Sequence, residues 1–489
     1  MTACCPRGVF VLLAALALAG FVAVAGTGAG SIAAFPIATF VPLFLLLPIP
    51  ALLLAALLPR LPASTVRYFW IVGVGILLRL LFFAPDPLLS DDVYRYLWDG
   101  RVQCAGRSPY GVEPASHELD RVEESWLPGS RVRDKVNHPE IPTAYPPVLQ
   151  LWFYGVAICG GGLQLWRALL LLAEIGVGSL VASALSERGK DRRLSVLYWW
   201  HPLPILESIW SAHAEIVAVL LFMLLVWRCG RPRASRARPG RSLVDAVLLG
   251  LGGGAKLLPL GLLPWLLRSS VMTSSVRSSS GRPSGWRSAA QVVGLCVVCG
   301  ATILVVSLPY LSGDHQLMMR GIRTYAESWY FNDVLFRSLG WIAGFDPEDR
   351  TLLATRVLRA GLLLAGGAVC VAAALCKLSS WRAALWITVG FVVLTPTLHP
   401  WYLLWLLPVS IVVCSPPWYL MTITILASYV AQVAWREHHI WIDSAWVRAL
   451  EFGPVAAWLI VEATSRWHTR RGAPTTTLGE NTCKRANAR

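Results

Sequence analysis

Charge is scarce in this chain. Asp, Glu, Lys and Arg make up 15% of the 489 residues, against about 25% in water-soluble domains. The alternating pattern of outer-membrane barrel strands is absent. The 11 cysteines show no Cys/His spacing of the kind a metal needs, and most sit inside apolar runs, where a thiol packs as a small hydrophobe. No internal repeat is evident. What the chain has instead is a series of continuous apolar runs of roughly 20 residues, the length a helix needs to cross about 30 Å of hydrocarbon. Helices are the only spanning element such runs support. The sequence therefore reads as all-α, a polytopic transmembrane bundle with about eleven to fourteen crossings. Many of its 23 Trp lie at segment ends, as interfacial anchoring expects.

The net charge of +15 is concentrated in short linkers. Arg228 to Arg241 holds six Arg and no acid, Arg268 to Arg287 holds four, and the tail after Ser465 is basic. Such linkers mark the cytoplasmic side. They lack the aromatics a nucleic-acid site would interleave with its cations, so no nucleic-acid partner is expected. The start of the chain resembles a signal peptide, but a second apolar run follows at once, so an uncleaved first helix is expected.

Apolar runs fall at about 8–28, 35–58 and 68–84, then between 147 and 465 in a further series separated by polar linkers. With the basic linkers in the cytoplasm, the polar segment 85–146 falls on the far side, and 312–351 forms a second far-side loop. From Pro85 to Tyr145 there are eleven acids against seven Lys and Arg, the reverse of the linkers' balance. The expected organisation is one membrane domain over 1–465, whose 85–146 loop carries the chemistry, and a flexible basic tail over 466–489. Region 147–187 must cross an odd number of times, yet Gly160–Gly162 divide it. A re-entrant or surface-lying first half would resolve this.

The most informative stretch is SDDVYRYLWDGRVQCAGRSPY, Ser90 to Tyr110. Ser90, Asp91 and Asp92 open a helix expected to run to about Cys104. As a cap, Ser and first-turn acids complement the helix dipole. Beyond a cap's needs, Asp92, Arg95, Tyr96 and Asp99 share one face at i, i+3, i+4 and i+7. Gly106 and Ser108-Pro109-Tyr110 then end the helix in a turn. A second cluster, Asn137-His138-Pro139-Glu140 followed by Tyr145-Pro146-Pro147, is stiffened by proline, with His138 and Tyr145 free to meet a substrate. Within the apolar runs, Glu207 needs a partner, His213 stands beside Glu215, and Lys256 follows Gly252–Gly254. Lys256 either pairs with a carboxylate or holds an anion. Tyr325, Trp329, Asn332 and Asp333 lie in the second far-side loop, and His399-Pro400-Trp401-Tyr402 forms a Pro-broken aromatic element. For each lone residue, packing competes with substrate contact. Their gathering on one side favours a site.

The stretches LLSDDVYRYLWDGRVQCAGRSPYGVEP, NHPEIPTAYPPVLQLWF, AKLLPLGLLPWLLR, SWYFNDVLF and LTPTLHPWYLLWLLP resemble the GT-C superfamily of integral membrane glycosyltransferases, and within it bacterial polyprenyl-phosphate-mannose-dependent mannosyltransferases. The likeness runs from about residue 68 to 465 in the same order. It implies a multi-pass enzyme of the bacterial plasma membrane with an extracytoplasmic active site. Its partners would be membrane lipid, a polyprenyl-phosphate sugar donor and a glycan or glycolipid acceptor. An acidic motif in the first large loop supplies the catalytic base in such enzymes, and that role falls on Asp91 or Asp92. Cys104 and Ser108 depart from the pattern outside the acidic pair. The substrate-contacting residues expected are Arg95, Tyr96, Asp99, Arg101, His138, Tyr145, His213, Lys256, Trp329, Asn332, His399 and Tyr402. No metal and no cofactor is expected, because a monophosphate donor needs less charge neutralisation than a nucleotide diphosphate. Two rival readings are a transporter or lipid flippase working through Glu174, Glu207 and Lys256, and a non-catalytic scaffold for envelope assembly.

Overall fold

A computed structural model of the chain describes residues 6–27, 37–125, 131–231, 241–276, 285–311, 315–349, 352–438 and 443–472. The fold is all-α. Its helices in chain order are α1 Pro6–Thr27, α2 Ile37–Leu46, α3 Ile49–Leu57, α4 Tyr68–Leu80, α5 Asp92–Cys104, α6 Asp120–Ser125, α7 Pro147–Ile158 and α8 Leu163–Glu187. Then follow α9 Val196–Trp199, α10 Pro202–Pro204, α11 Glu215–Gly230, α12 Arg241–Ala255, α13 Leu263–Val276, α14 Gly285–Ser307 and α15 His315–Ser328. The last are α16 Val334–Ile342, α17 Leu353–Leu375, α18 Ser380–Leu394, α19 Leu406–Val413, α20 Pro416–Thr424, α21 Tyr429–His438 and α22 Ala445–Gly472. No strand forms among the described residues. A single bridge pairs Phe331 with Thr397.

Among the described residues, five stretches are long and apolar enough to cross a membrane: Pro6–Gly26, Val41–Arg60, Leu163–Glu187, Ala289–Tyr310 and Leu353–Leu375. Many of the remaining apolar runs are broken. Proline breaks several, since it lacks the N–H that would continue the ladder. Pro202 and Pro204 interrupt the run before α11, and Pro400 starts a 3₁₀ turn before α19. Freed backbone groups inside hydrocarbon are tolerated only where protein buries them, and residues 198 to 219 are buried almost without exception. Helix α7 has 12 residues, about 18 Å at 1.5 Å per residue, which is too short to cross. The glycines 160–162 turn the chain before α8, so the two halves of 147–187 differ in kind, a short packed helix and a full-length one.

Helix α5 matches its expected bounds. Ser90 Oγ accepts from the Asp92 amide at 3.2 Å, while Asp91, at the N-cap position, makes no side-chain cap. The end is a Gly106 in the left-handed region (φ +73°), with Arg107 N donating to Val102 O. The helix lies against α7. Gly100 permits this closeness: a Cβ there would stand 2.4 Å from the Phe153 carbonyl oxygen. Helix α12 packs on α11, α14 and α7, and at Gly254 a Cβ would stand 2.9 Å from Val148.

Two lone intramembrane charges satisfy each other. Arg79 of α4 donates to Glu174 of α8 at 2.9 Å, and the Tyr198 hydroxyl donates to the same carboxylate oxygen at 2.8 Å. Both charged side chains are fully buried. This leaves Glu174 a packing role, apart from Glu207 and Lys256.

Candidate active site

Two adjoining cavities meet at Asp92. The larger, about 1080 Å³, is lined by the 86–94 stretch, the 134–138 stretch, Trp329 to Phe331, His399, Trp401 and Trp435. The smaller, about 160 Å³, is lined by Arg95, Tyr145, Glu215, Lys256, Tyr325 and Tyr402, among others. Asp92, Asn137, His138, Trp329, His399 and Trp401 border both, whereas Asp91 borders only the larger. The two acids thus differ in place although they are adjacent in sequence, because a helix turns its side chains by about 100° per residue.

The Asp92 carboxylate is held on both oxygens. Asn137 Nδ2 donates to Oδ1 at 2.8 Å, and the Tyr145 hydroxyl donates to Oδ2 at 3.0 Å. His213 Nδ1 lies 3.7 Å from Oδ2. Burial by itself pushes this carboxyl up. His213 and the Asn137 and Tyr145 hydrogen bonds outweigh it, so the group stays below the ordinary carboxylate range and is ionised at neutral pH. Its side chain is 21% exposed, so it can be reached from the cavity.

Arg95 sets up Asn137. Its guanidinium donates to the carbonyls of Asn137 (2.8 Å), His138 (2.7 Å) and Ile141 (2.9 Å). His138 sits in the left-handed region at φ +48°, a conformation that persists in a non-glycine residue only when its surroundings fix it. The expected substrate contact for Arg95 meets a side chain already engaged with three carbonyls. It touches the smaller cavity while gripping the loop.

Tyr96 lies behind Asp92. It stacks on Phe153, with ring centroids 4.7 Å apart, and its hydroxyl is 3.4 Å from His213 Nδ1. Asp99 lines neither cavity. It accepts from Gln150 Nε2 at 2.7 Å in the seam between α5 and α7, and burial raises its carboxyl to about 6 despite Arg95, Thr143 and Gln150. Arg101 is buried and lines neither cavity. Asn332, buried with φ +52°, is directed at the Leu398 carbonyl and Glu451, each 3.4 Å away. The helix-face pattern grouped Asp92, Arg95, Tyr96 and Asp99, and the structure divides them into an acid at the cavity and three residues that support it or its helix.

The opposite wall is aromatic. His213, Trp401, His399 and Phe331 stack in a column, with successive centroids 4.1, 4.2 and 5.0 Å apart. Trp329 packs edge-on against His138, and Tyr402 hydrogen-bonds Tyr325. Lys256 sits directly after the end of α12, two residues beyond the glycine run. Its Nζ is 2.8 Å from Glu215 Oε1 and 5.3 Å from the Tyr145 ring centre. The Lys256 side chain remains 24% exposed and borders the smaller cavity, while Glu215 beside it is buried.

Asn137 and Glu215 were not among the substrate contacts expected from sequence. Each adjoins a residue that was, and a lone Lys256 in an apolar run calls for a nearby carboxylate. Among the described residues, no three His, Cys, Asp or Glu side chains gather closely enough to hold a metal ion.

Comparison with known proteins gives one match. Residues 52–272, just under half of the chain, match the family model for alpha-(1->6)-mannopyranosyltransferase, N-terminal domain. That stretch includes α5, the 137–145 loop, His213 and Lys256. No curated protein and no solved structure matches the chain. Over that stretch, carried on an all-helical fold with several membrane-crossing helices, the chain is similar to this mannosyltransferase family, and the protein is a glycosyltransferase.

Proposed function

We propose that the protein transfers mannose from a polyprenyl-phosphate donor to a hydroxyl of a glycan or glycolipid acceptor, on the extracytoplasmic side of a bacterial plasma membrane. Asp92 is the base. The observation that carries this reading is the position of the Asp92 carboxylate at the junction of the two cavities, held ionised by Asn137, Tyr145 and His213.

The acceptor hydroxyl approaches from the larger cavity and attacks the anomeric carbon. The bond from that carbon to the phosphate oxygen breaks, and Asp92 takes the hydroxyl proton as the new glycosidic bond forms. One displacement inverts the anomeric centre. Phosphate leaves without a second carboxylic acid, unlike the leaving group in glycoside hydrolysis. Its charge requires a cation, and Lys256 in the smaller cavity supplies one, with His138 beside it. The 24% exposure of Lys256 allows it to turn from Glu215 to a phosphate. Asp91 contacts the acceptor in the larger cavity. The lipid tail lies between helices.

A transporter reading would use Glu174, Glu207 and Lys256 as one path. Glu174 is closed off by Arg79 and Tyr198, and no observation favours that reading. The deciding experiment incubates membranes containing the protein with radiolabelled polyprenyl-phosphate sugars and identifies the product's sugar and anomeric configuration. Transfer of mannose with inversion is expected. Retention, or use of nucleotide sugars alone, contradicts the reading.

A further inference from the structure

Behind Asp92 lies a second carboxylate that the transfer step has not used. Glu207 Oε2 stands 3.3 Å from His213 Nε2, while His213 Nδ1 faces Asp92 Oδ2 at 3.7 Å. The imidazole is therefore flanked by carboxylates on both ring nitrogens. His213 is fully buried and Glu207 is 1% exposed. A carboxylate withheld from water in a bilayer protein is costly, and its retention there points to function. The other oxygen of Glu207 accepts from the Tyr429 hydroxyl.

The backbone is bent to make this arrangement. Glu207 lies in a π-helical turn, Ile205–Trp210, a geometry found frequently at functional sites. Ala212, just before His213, is held at φ +58°, which costs a residue with a Cβ about 1–2 kcal/mol. Four hydrogen bonds fix the turn. His213 N donates to the Glu207 carbonyl (2.9 Å), Ser211 N to Leu206 O (2.8 Å), Trp166 Nε1 to Ala212 O (2.8 Å) and Arg167 Nη2 to Trp210 O (2.8 Å). Simple packing of a buried histidine needs none of this.

We propose that Glu207 is a positioning residue for glycosyl transfer: it holds a protonated His213 imidazole against the Asp92 carboxylate, so that the base is one end of a buried carboxylate–imidazole–carboxylate chain. This rests on the reading of Asp92 as base. An imidazolium carries an N–H on each nitrogen, here within ion-pair distance of the two carboxylates, and Trp401 stacks on its face at 4.1 Å, where a cation is stabilised by the indole. Its positive charge keeps Asp92 ionised. Asp92 passes the proton it accepts in the transfer to the departing phosphate and is ionised again, so the carboxylate–imidazole–carboxylate chain gains and loses nothing in a cycle. The other groups facing these three are Glu215, Lys256 and His399, with the hydroxyls of Tyr96, Tyr145, Ser211 and Tyr429.

The test is the pH dependence of kcat/KM in Glu207→Gln, Glu207→Asp and Asp92→Asn. With Glu207→Gln the imidazole loses its anion and its proton, and Asp92 loses the adjacent positive charge. Its pKa rises, and the acid limb of the profile moves to higher pH by on the order of one unit. Glu207→Asp keeps the charge and returns the limb most of the way. A role in packing alone lowers activity equally at every pH. An acid limb that stays at the wild-type position in Glu207→Gln overturns the proposal. Should that variant fail to fold, Glu207→Asp decides it: a limb unmoved in a variant with altered rate overturns the proposal, and a smaller shift in the same direction supports it. An inactive Asp92→Asn beside an unmoved limb refutes the positioning role alone. An active Asp92→Asn refutes the base assignment and the positioning role with it.

Discussion

Arg95 and Asn137 are joined across 42 residues by a guanidinium–carbonyl hydrogen bond of 2.8 Å, and the Asn137 side chain in turn donates to Asp92. The acid on α5 is therefore oriented by an arginine one turn along the same helix, acting through a distant loop. Arg95 grips three carbonyls at once, which requires the planar fork of a guanidinium. An ammonium cannot reproduce it. Arg95→Lys should lower kcat by at least about tenfold, with KM for donor changed little, because each lost charge-assisted hydrogen bond is worth about 1.5–3 kcal/mol. Steady-state kinetics on membranes with matched protein levels checks this. A rise in donor KM with kcat unchanged would instead make Arg95 a donor contact.

Lys256 pairs with a carboxylate, yet stays open to the smaller cavity. Lys256→Met should weaken donor use by about tenfold or more, the worth of one charged contact to phosphate. It also leaves Glu215 buried without its partner, which costs several kcal/mol. The double variant Lys256→Met/Glu215→Gln removes that penalty. It should recover thermal stability and not donor affinity. Recovery of both would show that the lysine serves the fold alone.

Asp99 has its carboxyl raised from 3.8 to about 6 by burial. The folded value exceeds the unfolded one, so the ionised form destabilises the fold. Stability from this group is complete below about pH 4 and is lost as pH rises through about 6. The loss is on the order of 2–3 kcal/mol. Asp99→Asn should flatten the pH dependence of the melting temperature between those values. An unchanged slope would show that Asp99 is not the titrating group.

Gly100 lets α5 rest on the Phe153 carbonyl. Gly100→Ala should destabilise the seam by about 1–3 kcal/mol, as overpacking does, and reduce activity by shifting Asp92. A melting temperature equal to that of the wild type would mean that the helices part freely.

Much of the scaffold was legible because its signals are local. A run of about 20 apolar residues has one stable outcome in lipid, and Ser90, Gly106 and the polar face between them bound α5 within one residue. The membership of that face was also legible, but not its partners. Arg95 was legible as a site residue but not as the grip on a loop, because its three carbonyls come from residues 137, 138 and 141 in a proline-rich loop, and the path of that loop depends on a left-handed His138 that no propensity reveals. Lys256 could be assigned either an anion or a carboxylate, and the structure shows Glu215 beside it, without excluding the first. Arg79 and Glu174 were each lone charges inside apolar runs. Pairing all such charges first would have joined them. The π turn around Glu207 was invisible, since Ile205–Trp210 has the composition of an ordinary helix and its geometry comes from the contacts around it.

The most direct measurement compares Asp91→Asn and Asp92→Asn for mannosyl transfer from a polyprenyl-phosphate donor, each at wild-type abundance in the membrane. Replacement of Asp92 should reduce kcat by at least about a hundredfold, as loss of a general base does. Replacement of Asp91 should leave kcat within a few fold and act on acceptor KM. Near-normal turnover with asparagine at 92, or abolition of turnover by the change at 91 alone, would contradict the account.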